Sequence, residues 1–212
     1  MRAINSLVKG RARMLQKVTH DRRIEMTDTG DTSIGGSTGP AAMIKVWDPF
    51  VRIFHWSLVV LFAAAFVTGD EFEWLHLWAG YAIAVLVGMR IVWGFVGSRY
   101  ARFAGFVKGP GEVWEFLKQT LHLNAPRYIG HNPAGGAMVI LLLVMLVGLS
   151  VTGIAMTFDA QSESDVLEEV HEVLANVTLG LVLLHILGVI AAGYEHGENL
   201  AKAMVTGEKR AQ

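Results

Sequence analysis

Four long apolar runs organise the chain, near residues 50–69, 75–97, 134–158 and 170–194, and each carries few charges. Each reaches the ~20 residues that a helix needs to cross a ~30 Å hydrocarbon core. None shows the apolar/polar alternation of a membrane barrel strand, so helices are the only spanning structure left. The pattern predicts an all-α integral membrane four-helix bundle. Composition agrees: 52% of residues are hydrophobic, 17% are charged, and the mean hydropathy is +0.41. A soluble domain of 212 residues would rarely hold four runs of this length.

The segments between the runs differ in character. Residues 98–132 form the longest connection, which Gly109-Pro110-Gly111 is expected to break. The stretch 112–121 is amphipathic and predicts a short interfacial helix anchored by Trp114 and Phe116. Asn132-Pro133 suits an N-cap and first helical position for the third run. That run has no histidine and reads as a packing helix, with Gly135, Gly136, Gly148 and Gly153 allowing close contacts.

Residues 1–42 stand apart as a basic, flexible N-terminal extension, with a Gly/Ser/Thr-rich linker over 27–42. No short apolar region of a cleavable signal follows its basic residues, so the first run is expected to act as its own uncleaved signal. An equally good alternative starts translation at Met43. Residues 43–210 make up the membrane domain, and no internal repeat is evident.

Charge distribution sets the expected topology. Of 18 Lys and Arg, nine precede or open the first run, five lie between the second and third, and three lie in the tail. The other two connections contain none; they hold Asp70, Glu71 and Glu73, and Asp159, Glu163, Asp165, Glu168 and Glu169. The positive-inside rule then places both termini in the cytoplasm and both acidic loops outside. Only Arg90 breaks the pattern, from within a run. A net charge of −1 gives no ground for nucleic-acid binding, and membrane lipid is the expected surrounding.

Four histidines then stand out, because ionisable groups inside a bilayer are costly and demand a partner or a function. His55 opens the first run and His76 the second, while His171 and His185 lie 14 residues apart on the fourth. Fourteen helical residues rise ~21 Å and return to within ~40° of the starting direction. His171 and His185 therefore share one face at two depths. Given the topology, His76 is level with His171 near the outside, and His55 with His185 near the inside. Neutral imidazoles are good iron ligands, so two six-coordinate haems would account for all four. A proton-relay or transporter bundle remains the alternative on spacing alone.

Two further positions fit the haem reading. Gly80 lies one turn from His76, where a missing side chain would let a porphyrin face approach. Arg90 follows His76 by 14 residues and should share its face at the inner depth, where it would pair with a propionate. The bland alternative is an Arg90 that snorkels to the headgroups. His196 follows His185 by 11 residues and could compete as an inner ligand, although a solvated terminal residue is the better expectation. His122 and His131 read as loop residues, with service to a quinone or a propionate as the alternative for His131, and His20 reads as uninvolved. The chain has no cysteine, which rules out iron–sulfur clusters, thiolate zinc sites and covalently attached c-type haem. Any haem here is therefore b-type.

The stretch from Val46 to His55, Leu75-His76-Leu77-Trp78-Ala79-Gly80, the Arg90 to Gly97 segment, Arg127 to Gly136, and Leu167 to His185 together resemble the bacterial cytochrome b561 family. They are most similar to its branch of nickel–iron hydrogenase cytochrome b subunits. The resemblance covers about 43–210, and the extension departs from it. It implies a four-helix dihaem cytochrome b in the bacterial inner membrane, with two haem b held by His55, His76, His171 and His185. It also implies electron exchange between a periplasmic redox partner and the quinone pool of a respiratory chain. The acidic outer loops would favour a basic partner such as a c-type cytochrome. Two alternatives are the haem subunit of a hydrogenase-like oxidoreductase complex and a superoxide:quinone oxidoreductase. Whether the chain is itself an enzyme, and which way electrons run, is left open by the sequence.

Overall fold

A computed structural model describes residues 42–211, apart from 70, 123 and 159–164. The N-terminal extension with His20 thus lies outside the described residues, as do Asp70, Asp159 and Glu163 of the acidic loops.

Four helices are long and apolar enough to cross a membrane: α1 (Pro49–Thr68), α2 (Glu73–Val96), α5 (Pro133–Phe158) and α6 (Asp165–His196). Between α2 and α5 run the short α3 (Phe103–Phe106) and α4 (Pro110–Leu121), and after α6 comes α7 (Leu200–Thr206). The strands β1 (Met43–Lys45) and β2 (Glu208–Arg210) pair antiparallel, Ile44 opposite Lys209. This ribbon is the one departure from an all-α reading among the described residues. It brings both ends of the membrane domain to the same end of the bundle. We call that the sheet end; the opposite one, where α1 turns into α2, is the turn end.

Local chemistry explains the boundaries. Asp48 caps α1 by accepting from the Val51 amide at 2.9 Å, with Pro49 at the first helical position. Asn132 caps α5 by accepting from the Gly135 amide at 2.6 Å, as the Asn-Pro pair predicts. Gly109-Pro110-Gly111 divides the long connection as expected, between α3 and α4, with Gly109 as the N-cap and Pro110 in the first turn of α4. Proline lacks only an N–H that the first turn leaves unpaired anyway.

The helices pack in the order α1, α2, α5, α6, with the core centred on Phe54, Ile83, Val87, Leu143 and Leu146. Helix α6 follows α5 closely and does not pack closely on α1 or α2. Its outward surface is apolar and exposed, as for a helix solvated by lipid. On α4, Trp114 is exposed but Phe116 is buried against Tyr128, with ring centroids 5.7 Å apart. Residues two apart on a helix point to nearly opposite faces, so only one of them can act as an interfacial anchor. Trp114, Leu117 and Leu121 form the exposed apolar face instead.

The described Lys and Arg gather at the sheet end, where acids such as Asp48 and Glu198 accompany them, and among the described residues the turn end carries acids alone. Arg52, Arg99, Arg102, Lys108, Arg127 and Lys209 belong to segments at the sheet end, whereas Glu71, Glu73, Asp165 and Glu168 sit at the turn end.

Candidate functional site

Across the side where α6 leaves α1 and α2, the four histidines meet in two pairs. At the turn end the rings of His76 and His171 have centroids 6.0 Å apart, at an interplanar angle of 71°. Toward the sheet end, His55 and His185 are 6.5 Å apart at 59°. Two imidazoles on one metal, with bonds of about 2.0 Å, place their centroids roughly 6 Å apart. Both spacings match that requirement, so each pair fits a single iron between its rings. His196, at the C-terminus of α6, is not the residue opposite His55. No cluster of three or more His, Asp or Glu suited to a bare metal ion occurs among the described residues.

The turn-end pair is held through its remote nitrogens. His76 Nδ1 lies 2.8 Å from the Ala65 carbonyl oxygen, which can only accept, so Nδ1 carries the proton. Ala65 is among the last four residues of α1, whose carbonyls lack an intrahelical partner. His171 Nδ1 lies 2.7 Å from Thr152 Oγ1. That hydroxyl donates to the Gly148 carbonyl at 2.9 Å, which leaves its lone pair to accept from Nδ1–H. In both rings Nε2 is then the nitrogen with a free lone pair. Gly153 makes room beside them: a Cβ there would meet His171 Cε1 at 3.2 Å. Helix α5 is therefore more than a packing helix, although it carries no histidine.

At the sheet end the surroundings differ. His55 Nδ1 is enclosed and has no hydrogen-bond partner. Arg90 is 3% exposed, so it does not snorkel to the surface. Its Nη2 donates to the Ala101 carbonyl at 3.1 Å and its guanidinium lies over the Phe103 ring, while Nη1 is unpartnered. An enclosed guanidinium with a free donor suits an anionic group such as a carboxylate. Gly80, partly buried on α2, faces open space where a Cβ would touch nothing within 4 Å.

His131 is the residue that sequence reasoning undervalued. Far from being an ordinary loop residue, it lies between Trp47 and Phe106, with ring centroids at 4.6 and 4.7 Å. Its Nδ1 is enclosed and unpaired. Burial, with the charges of Arg90, His185 and Lys209, pushes its pKa down to about 3, so the ring is neutral at physiological pH. Nearby, Asp48 ties α1 to α2 by accepting from Trp93 Nε1 at 3.2 Å and from Ser98 Oγ. Burial raises the Asp48 pKa, but hydrogen bonds from Ser98, Val51 and Trp93 outweigh it, and the net shift is downward. His122 is exposed at the end of α4 and takes no part in the site.

With the geometry in place, the comparisons decide the family. The sequence matches the prokaryotic cytochrome b561 family over residues 46–207, which includes every element from α1 to α7. The chain belongs to that family. It is a membrane b-type cytochrome, and haem b is the cofactor that membership implies. The chain is 23% identical to a probable Ni/Fe-hydrogenase B-type cytochrome subunit of Rhizobium leguminosarum bv. viciae, over 78% of this chain and 88% of that protein. It is 30% identical to a probable Ni/Fe-hydrogenase 1 B-type cytochrome subunit of Escherichia coli K12, over 52% of this chain and 59% of that protein. No solved structure gives a significant match.

Proposed function

We propose that the chain carries two haem b groups and passes electrons between a periplasmic redox partner and the quinone pool of a bacterial inner membrane. The observation that carries this is the pair of facing imidazole couples at two depths of one bundle, each spaced for one iron. Bound there, haem iron supplies one-electron transfer. His76 with His171, and His55 with His185, would each hold one haem iron through their imidazoles. Arg90 would hold a propionate of the sheet-end haem through its free Nη1, and Gly80 would admit the porphyrin face.

The charge division supports placing the sheet end, with both termini, in the cytoplasm and the acidic turn end in the periplasm. The quinone would then be met near the sheet end. The names of the relatives favour an oxidoreductase subunit, as in a hydrogenase-like complex, as the partner at the turn end. A soluble c-type cytochrome is the second reading, favoured by the exposed acids Glu71, Glu73, Asp165 and Glu168. The same acids disfavour an anionic small substrate such as superoxide.

Affinity capture of the tagged protein from its native membrane, in mild detergent, tests the partner. Recovery of a metalloenzyme subunit supports the complex. Recovery of neither such a subunit nor a c-type cytochrome, with rapid quinone reduction by superoxide in the isolated protein, would contradict both partner readings.

A further inference from the structure

The two histidine pairs are not equivalent, and the difference lies behind the rings. At the turn end both imidazoles donate Nδ1–H to a fixed oxygen, His76 to Ala65 and His171 to Thr152. At the sheet end His55 Nδ1 has no partner. Donation from the remote nitrogen gives the ring imidazolate character and makes it a more basic ligand. A more basic ligand stabilises ferric iron over ferrous and lowers the reduction potential.

We infer that Thr152 is a positioning residue that holds His171 through Nδ1 and, with the Ala65 carbonyl behind His76, makes the turn-end centre the lower-potential one of the two. This rests on the dihaem reading above. Charge does not reverse the sign. The buried cations at the sheet end, Arg90 and Lys209, are opposed by Asp48 and Glu198, and any residue of positive field there would raise the sheet-end potential further. The acids at the turn end act weakly in the same direction, because exposed charges are screened. With haem bound, an electron would pass downhill from the centre held by His76 and His171 to the centre held by His55 and His185. The partner named above supplies that electron, and the quinone removes it.

The test is a spectroscopic redox titration of the full-length, haem-loaded protein. In the wild type two one-electron steps are expected. Thr152→Val keeps the shape of the side chain and removes the acceptor. It should raise the lower step by about tenfold in the ferric-to-ferrous balance, about 59 mV for one electron, and leave the upper step in place. Thr152→Ser should restore it. A shift of the upper step, or of neither, overturns the inference. Variants that retain one centre check the order without Thr152: His55→Ala should titrate near the lower wild-type step and His76→Ala near the upper. The reverse order also overturns it, whereas fewer than two haems in the wild type would overturn the dihaem reading itself.

Discussion

Gly153 and His171 face each other across α5 and α6 so closely that a Cβ at 153 would stand 3.2 Å from His171 Cε1, a tight contact. The neighbouring Thr152 hydroxyl accepts a hydrogen bond from Nδ1–H of the same ring. Gly153→Ala should be tolerated after a small shift of the imidazole. Gly153→Val should displace the ring and lose the turn-end haem while keeping the other. Haem per chain, measured by pyridine haemochrome, should fall from two to one in the valine variant and stay at two in the alanine variant.

The pairing itself predicts how single ligand losses group. His76→Ala and His171→Ala should lose the same component of the reduced-minus-oxidised spectrum. His55→Ala and His185→Ala should lose the other. Low-temperature α-band spectra separate the components, and any other grouping would break the assignment.

Much of this was legible beforehand, for identifiable reasons. Span length follows from bilayer thickness, so the four helices are visible in hydropathy alone; observed bounds such as Pro133–Phe158 lie close to the expected 134–158. The spacing of His171 and His185 put them on one helical face, and the turn-end and sheet-end partners then followed from depth. Thr152 could not be read the same way. A threonine in an apolar helix ordinarily bonds a carbonyl in the preceding turn, and nothing in sequence marks one that also accepts from a histidine. The enclosure of His131 was not legible because Trp47 and Phe106, which flank it, come from distant segments. The β1–β2 ribbon has three residues per strand and joins the two ends of the domain, too short and too non-local for any pattern.

Glu198 predicts an acid-sensitive sheet end. Its buried carboxylate accepts from Arg127 and lies 3.4 Å from Lys209 Nζ and 3.7 Å from Arg210 Nε. Burial raises its pKa, but Arg127 and Lys209 outweigh that and hold it below the ordinary 4.5. A carboxylate depressed in the folded state contributes stability above its unfolded pKa and loses it as pH falls through the folded value. The thermal midpoint in detergent should therefore fall as pH drops below about 4.5. Glu198→Gln leaves Lys209 buried without its counter-charge, should cost up to about 3 kcal/mol at neutral pH, and should flatten the acid limb.

Asp48 should behave as a cap and a clamp together. Asp48→Ala removes the acceptor for Val51, Trp93 and Ser98 and should cost about 1–2 kcal/mol. Asp48→Asn keeps an acceptor oxygen for the helix end and should recover most of that. Thermal midpoints of the two variants, followed by loss of the Soret band, would check the order.

Haem content tests the dihaem assignment most directly: a dithionite-reduced minus oxidised spectrum of the purified full-length protein, with haem per chain by pyridine haemochrome. Two b-type haems per chain are predicted, both six-coordinate and low-spin. One haem per chain, or a high-spin centre open to ligands, would contradict the assignment of His55, His76, His171 and His185 as two complete axial pairs.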